Sequence, residues 1–237
     1  MKQYFSAMQS LGRAIEDFEI EGGMARNLEQ IRDAERQIAA AKTAVGKAGI
    51  PADVIHGRGQ KTGHERIALL LDDLQSFCPL NSLYDPYENV EGSTGVVTGI
   101  GAIARRLAVV IASDNKVLAG AWLPGQAEKI FRAQDIARQL RIPLVWLLNC
   151  SGVKLTEQQE VYASRRSGGR IFFRNAELAI EGIPSVVGVF GANPAGGGYH
   201  AISPTVIFAH KDASMAVGGG GIMSGLSPKG RFELEDA

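Results

Sequence analysis

Two cysteines in 237 residues, Cys78 and Cys150, are too few and too far apart for a disulfide framework or a zinc site, and they point to a reducing cytosol. Charge of one sign is also missing. With 25 Lys and Arg against 25 Asp and Glu, nothing global draws the chain to nucleic acid or to an anionic membrane. No apolar run reaches the ~18 residues of a membrane-spanning helix, and Met1-Lys2-Gln3-Tyr4-Phe5 opens no apolar signal region. The catalytic signatures are thin as well. There is no Gly-x-Ser-x-Gly elbow, and Gly196-Gly197-Gly198 lacks the Lys-Ser/Thr ending of a P-loop. An apolar fraction of 45% and a charged fraction of 21% nevertheless describe an ordinary soluble globular protein. The length suits one sizeable domain, with or without a small appendage.

What is abundant is glycine, 29 residues, clustered in segments 95–101, 196–198 and 218–225 without any repeat. The two most informative segments are Asn149-Cys150-Ser151-Gly152-Val153-Lys154 and Asn193-Pro194-Ala195-Gly196-Gly197-Gly198-Tyr199-His200. Each follows an apolar, β-rich run, residues 143–148 and 185–190, and therefore reads as a loop leaving the end of a buried strand. Two such loops can aim bare N–H groups at one point, which is how a carbonyl oxygen is held as it becomes an oxyanion. The chemistry this implies is stabilisation of an enolate or a tetrahedral adduct by the backbone. Three glycines opening a helix add dipole character to those N–H groups.

The rest of the chain organises around these loops. Residues 27–47 carry Leu28, Ile31, Ala34, Ile38, Ala41 and Val45 at helical spacing and predict an amphipathic helix ended by Gly49 and Pro51. A second helix is expected over 62–71 and an irregular connector over 77–93. Segments 96–101 and 107–113 predict a hairpin, and 116–121 a third short strand. A strong helix over 125–140 precedes strand 144–148, a helix over 172–181, strand 186–190, a short helix from Gly197, and strands 206–210 and 215–217. Alternating strands and helices imply an α/β fold with a largely parallel sheet. The last ten residues read as the start of another helix, so the natural polypeptide is expected to continue.

Several residues have a functional and a plain reading. Gly99-Ile100-Gly101-Ala102-Ile103-Ala104 resembles a dinucleotide fingerprint but is followed by a strand, and so reads as a hairpin turn. Cys150 and Ser151 lack nucleophile partners, and Cys150 reads as a packing residue. His200 is either a general base or a satisfied structural histidine. Lys154, Arg165, Arg166 and Arg170 are a solvated basic surface taken singly, and a phosphate-holding set for an anionic carrier such as coenzyme A taken together. The glycines from Gly218 and Gly219 onward admit close approach of a ligand's acyl tail or of another chain.

With these loops in view, the chain resembles the biotin-dependent carboxyltransferases of the crotonase superfamily, and within them the branch that decarboxylates glutaconyl-CoA. The residues behind this are Gly57-Arg58-Gly59, Glu65-Arg66-Ile67, Ala112-Ser113-Asp114-Asn115-Lys116, Leu118-Ala119-Gly120-Ala121-Trp122, Pro124-Gly125-Gln126-Ala127-Glu128 and Phe172-Phe173-Arg174-Asn175, besides the two loops. Acyl-CoA carboxylase β subunits are expected to carry Ser-Gly-Gly-Ala-Arg and Ala-Gly-Gly-Ala in place of those loops. The resemblance implies a crotonase/ClpP-like ββα spiral over residues 95–237, apparently truncated at its C-terminus, behind an N-terminal helical region and connector over 1–94. It implies transfer of the carboxyl of glutaconyl-CoA to biotin on a partner protein, leaving crotonyl-CoA. It further implies coenzyme A as part of the substrate, a homo-oligomer, and a cytoplasmic location with any membrane link made through partner subunits. By resemblance, Val153 and Gly197 are the oxyanion donors, with Gly196 and Gly198 shaping the loop. Lys154, Arg165, Arg166, Gly218 and Gly219 are the substrate-binding set, and no metal is expected. Family members have two crotonase-like halves, so this chain is expected to carry the acyl-CoA lobe alone and not to turn over by itself. The alternatives are a lobe of the acyl-CoA carboxylase β type and a non-catalytic dimerising scaffold.

Overall fold

The computed structural model describes residues 16–162 and 165–218. The chain divides into two compact units, Met1–Thr43 and Ala44–Ala237. The described part of the first is helical: α1 (Asp17–Lys47) starts earlier than its apolar spacing predicts and buries none of its residues.

In the second unit, two short helices, α2 (Ala52–Gly57) and α3 (Gly63–Leu70), lead into the sheet. Helix α3 begins where a Thr-x-x-Glu pattern says it should. The Thr62 hydroxyl accepts from the Glu65 N–H (3.2 Å), and the Glu65 carboxylate accepts from the Thr62 N–H (2.7 Å). Strands β1 (Cys78–Leu80), β2 (Val96–Ile103) and β3 (Arg106–Ser113) run antiparallel. Helix α4 (Gln126–Leu140) then crosses to β4 (Leu144–Leu148), and α5 (Gln158–Tyr162) and α6 (Gly168–Ile180) cross to β5 (Ser185–Val189). After β6 (Ala192–Pro194) and α7 (Gly196–Ile202), strands β7 (Val206–Ala209) and β8 (Ser214–Ala216) follow. The main sheet has the order β1-β2-β3-β4-β5-β7, parallel from β3 onward, while β6 and β8 pair separately in parallel. This is the mixed α/β architecture with a helical N-terminus that the sequence implies.

Strand alternation sorts the core. Val109 and Ile111, Leu144, Trp146 and Leu148, and Val187 and Val189 pack with Ile130, Ala133 and Ala137 of α4 and Ile171 and Leu178 of α6. The opposite face sends Val110, Ala112 and Leu147 against Ile67 and Leu71 of the α3 side. Each fully buried aliphatic side chain in these layers contributes about 1.5–3 kcal/mol. A buried amide joins α4 to α6: Gln134 Nε2 donates to Asn175 Oδ1 (2.7 Å) and to the Ile171 carbonyl (3.1 Å).

Three local expectations change. Residues 116–121 form no strand. Leu118–Gly120 is a 3₁₀ turn, with Leu118 and Ala119 at φ 43° and 53°. A Cβ on Gly120 would lie 1.9 Å from the Asn149 carbonyl oxygen, so the turn closes directly on the end of β4. The connector over 77–93 contains β1, an edge strand, where Pro79 forfeits no interior ladder bond. Gly99 and Gly101 lie inside β2, and Ala104 and Arg105 make the hairpin turn at φ 49° and 62°. Those glycines make room for neighbours instead: a Cβ would meet the Phe77 ring at 2.2 Å and Leu71 Cδ2 at 2.5 Å.

Candidate active site

Both glycine-bearing loops leave the carboxyl ends of neighbouring parallel strands, β4 and β5, where open α/β sheets place their ligands. Past β4, Gly152 takes φ 107°, a conformation that favours glycine. Its carbonyl accepts from the Trp122 N–H (2.8 Å), and the Lys154 N–H donates to the Trp122 carbonyl (3.1 Å). This isolated parallel bridge uses the groups on either side of Val153. The Val153 N–H itself has no hydrogen-bond partner among the described residues.

Past β5, Ala195 at φ 50° turns the chain into α7. The Gly198 N–H donates to the Ala195 carbonyl (3.0 Å), while the Gly197 N–H, in the first turn, has no partner among the described residues. A Cβ on Gly197 would sit 2.7 Å from the Cys150 carbonyl oxygen and 3.2 Å from its Sγ, so the two loops touch. At Gly196 the nearest atom would be Tyr162 Oη, at 3.1 Å, and at Gly198 the Asn193 carbonyl oxygen, also at 3.1 Å.

Asn193 fastens the loops to each other. Its Oδ1 accepts from the Cys150 N–H (2.8 Å), and its Nδ2 donates to the carbonyls of Phe190 (2.9 Å) and Gly191 (3.1 Å). The sequence places Asn193 within a motif, but its role emerges only once both loops are in position. Trp122 is a second contributor not singled out beforehand. It bridges to Val153 and stacks 4.9 Å from the His200 ring.

The side chains available for proton or covalent chemistry are withdrawn from it. Burial pushes the Cys150 thiol up to about 12, against a smaller opposing pull from the Gly152 backbone. Ser151 Oγ donates to the Leu118 carbonyl (2.9 Å). His200 is fully buried, stacked on Trp146 at 4.4 Å and near Phe172 at 5.3 Å, and burial drives its pKa down to about 3. Neither ring nitrogen has a hydrogen-bond partner among the described residues, so this is a neutral histidine held by ring packing, neither the general base nor the satisfied structural histidine of the sequence reading.

The basic set separates. Lys154 Nζ lies between Glu157 (2.7 Å) and Glu91 (3.0 Å), which hold its pKa above the ordinary lysine value. The Arg170 guanidinium lies over the rings of Phe173 (5.0 Å) and Phe131 (5.1 Å). Arg165 and Arg166 are exposed, just ahead of α6. Gly218 lies two residues past β8, which pairs with β6 next to the glycine loop, and Gly219 lies outside the described residues. Among the described residues no group of three or more His, Cys, Asp or Glu could hold a metal ion, and no helix is long and apolar enough to cross a membrane.

The arrangement is two touching loops that each carry N–H groups with no partner among the described residues, Gly152 and Val153 on one and Gly196 and Gly197 on the other, beside a neutral Cys150 and His200. Comparisons with known proteins meet it from another direction. The carboxyl transferase domain model matches residues 55–227, which include both loops. The chain is 49% identical over all 237 residues to the α subunit of glutaconyl-CoA decarboxylase from Acidaminococcus fermentans, spanning 39% of that protein. It is 34% identical over 165 residues to the β1 subunit of biotin-dependent 3-methylcrotonyl-coenzyme A carboxylase from Mycobacterium tuberculosis, 68% of this chain and 31% of that one. The β subunit of P. aeruginosa geranyl-CoA carboxylase superposes with a TM-score of 0.68 at 28% identity, over 98% of this chain and 42% of that one. The chain thus spans about two fifths or less of these relatives, and it belongs to the carboxyl transferase domain family.

Proposed function

We propose that the chain forms the acyl-CoA lobe of a biotin-dependent decarboxylase that moves the γ-carboxyl of glutaconyl-CoA to biotin on a partner protein and leaves crotonyl-CoA. The single observation that carries this reading is that two touching loops each present N–H groups without a partner among the described residues, and of these Val153 and Gly197 are assigned as the donors. The 49% identity to a glutaconyl-CoA decarboxylase subunit supports the choice of substrate. When the γ-carboxyl leaves, the electron pair of its C–C bond runs through the conjugated chain to the thioester oxygen. Two donors at that oxygen favour the resulting dienolate over the ground-state carbonyl, by about 3–4 kcal/mol per well-placed donor. Decarboxylation abstracts no proton, so the neutral His200 and the protonated Cys150 are no obstacle.

Gly196 and Gly198 shape the loop in this reading. Arg165 and Arg166 are assigned to the coenzyme A phosphates, with Gly218 and Gly219 beside the acyl chain. Lys154 acts from within its pairing with Glu91 and Glu157, as an anchor for the loop more than as a free cation. Biotin would supply the nitrogen that takes up the carboxyl group, and the proton that nitrogen loses balances the one the γ-carbon of the dienolate gains to become crotonyl-CoA; none of the residues above is assigned to biotin. A homo-oligomer in the cytoplasm, reaching a membrane only through partner subunits, completes the proposal.

A second reading is a lobe of the acyl-CoA carboxylase β type, run in the carboxylating direction, and the 34% identity to the mycobacterial β1 subunit favours it. A third, a dimerising scaffold, requires no acyl-CoA affinity. Calorimetric titration with crotonyl-CoA, beside a Gly197→Val variant, tests the proposal. Saturable binding that the variant loses supports a thioester site at these loops. Equal binding by both proteins sinks the assignment of Gly197, and binding by neither means that the site needs a further part of the enzyme or that the scaffold reading holds. Biotin-dependent decarboxylation of glutaconyl-CoA by the enzyme assembled with its partners, set against ATP-driven carboxylation, separates the first two readings.

A further inference from the structure

On the face of the sheet opposite α4 and α6, a cavity of about 450 Å³ lies between α3 and the ends of β4 and β5. Arg66 lines it and is only 6% exposed. No carboxylate among the described residues pairs with this guanidinium. Glu65, its neighbour in the chain, is turned to His56 (2.8 Å) and to the Thr62 N–H (2.7 Å). The guanidinium carbon lies 4.3 Å from the centroid of the Phe190 ring. The Asn149 amide completes its surroundings. With the amide nitrogen donating to the Phe190 carbonyl (3.2 Å), the oxygen accepts from Arg66 Nη1 and Nη2 (3.2 Å each). The remaining guanidinium donors have no protein partner among the described residues. Burial lowers the Arg66 pKa to about 10, as expected for a cation without a full counter-charge.

The rest of the wall is apolar and basic. Leu70, Leu147 and Phe190 supply hydrocarbon, and Arg58 and Lys61 add two further cations. The one carboxylate on the wall, Asp212, lies 3.6 Å from His210 Nδ1. A buried guanidinium is a rigid fork that matches a carboxylate, and a volume of this size is that of a small-molecule site. A carboxylate on a short hydrocarbon body is matched by Arg66 at one end and by Leu70, Leu147 and Phe190 at the other, whereas a phosphate would leave that apolar wall unmatched.

We infer that this cavity is a binding site for a small organic carboxylate, its anionic end on Arg66 and its hydrocarbon body against Leu70, Leu147 and Phe190. The site is distinct from the glycine loops, and it does not depend on their assignment. Asn149 stands between the two. Its side chain holds Arg66, while the next residue, Cys150, opens the loop that touches Gly197. An occupant therefore bears on the end of β4 from behind.

Titration of the protein with butyrate, followed by amide NMR shifts, tests this. Saturable binding in the millimolar range or tighter is expected, with shifts centred on Arg66, Leu70 and Phe190. Arg66→Met weakens it by about tenfold or more, the loss of one charge-assisted pair. Leu69→Trp, at a rim position 70% exposed and so indifferent to folding, blocks entry while leaving Arg66 in place. Absence of saturable binding, or binding that survives Arg66→Met, overturns the proposal. Inorganic phosphate binding as tightly as butyrate overturns the organic carboxylate in favour of a bare oxyanion site. Displacement of butyrate by crotonyl-CoA overturns the separateness of the cavity from the thioester site.

Discussion

Replacing Gly197 by alanine places a Cβ 2.7 Å from the Cys150 carbonyl oxygen, where ordinary contact begins at 3.4 Å. The obstructing atom is backbone, held by the Cys150 N–H bond to Asn193, so no flexible side-chain end can swing aside. One loop must retreat by the difference, 3.4 − 2.7, or about 0.7 Å. A donor at an ideal ~2.9 Å from an oxyanion then stands at ~3.6 Å, beyond hydrogen-bond range. Losing one such donor lowers kcat by about 10²–10³, with a smaller effect on KM because the ground-state carbonyl uses the donor less. The same geometry grades the neighbours. Gly196→Ala meets only the phenolic oxygen of Tyr162 at 3.1 Å, which can move, and Gly198→Ala meets a carbonyl oxygen at 3.1 Å, an intermediate case. Gly169→Ala meets nothing within 4 Å and serves as the control. The assay is biotin-dependent decarboxylation of glutaconyl-CoA by the enzyme assembled with its partner subunits, with kcat and KM separated for each variant. Full activity in Gly197→Ala, or an equal loss at Gly196, refutes the reasoning.

Alkylation followed by mass spectrometry should label exposed Cys78 in the native protein at pH 8 and spare buried Cys150 until denaturant is added; rapid double labelling would contradict the burial described. His200 stays neutral in the folded state until its pKa of about 3, while the unfolded chain takes up that proton near 6.5. Stability from this group is therefore complete above pH 6.5 and falls below it, by at most about 1.4 kcal/mol per pH unit. Urea midpoints at pH 7 and pH 5 should differ less in His200→Phe than in the parent protein, and an unchanged difference speaks against the buried neutral ring. Arg174, 4% exposed and paired with Asp135 and Glu177, cannot be removed without leaving two carboxylates uncompensated. Arg174→Met should cost about 3 kcal/mol and lower Tm by roughly 6–12 °C in thermal unfolding; a shift within error would show that solvent already screens the pair.

Strands β4 and β5 and helix α4 were legible because each is a run whose period and length leave few alternatives. Residues 116–121 were not. Val117, Leu118 and Ala119 have strand-like composition, but the turn is imposed by the Asn149 carbonyl closing on Gly120, a contact 29 residues away along the chain (149 − 120). Gly99 and Gly101 misled for a related reason, since what they accommodate, Phe77 and Leu71, comes from another element. At the site, the loops and their glycines could be read from the order of β-rich run and turn. The pairing of Lys154 could not, because Glu91 is remote in sequence. Nor could the burial of His200, which depends on three aromatic rings brought in by a loop, a strand and a helix.

Asn193 spans both loops with one side chain, and Ser214 of β8 contributes a third carbonyl at 3.5 Å. The relative height of the two glycine-bearing segments is thus pinned by this amide in addition to the pairing of β4 with β5 beneath it. An insertion or deletion in either segment changes the reach that this amide must cover. Transplanting one loop from a relative with a different length would therefore disturb its untouched counterpart. Redesign of the acyl-group preference has to treat the two segments, with their shared asparagine, as one exchangeable cassette.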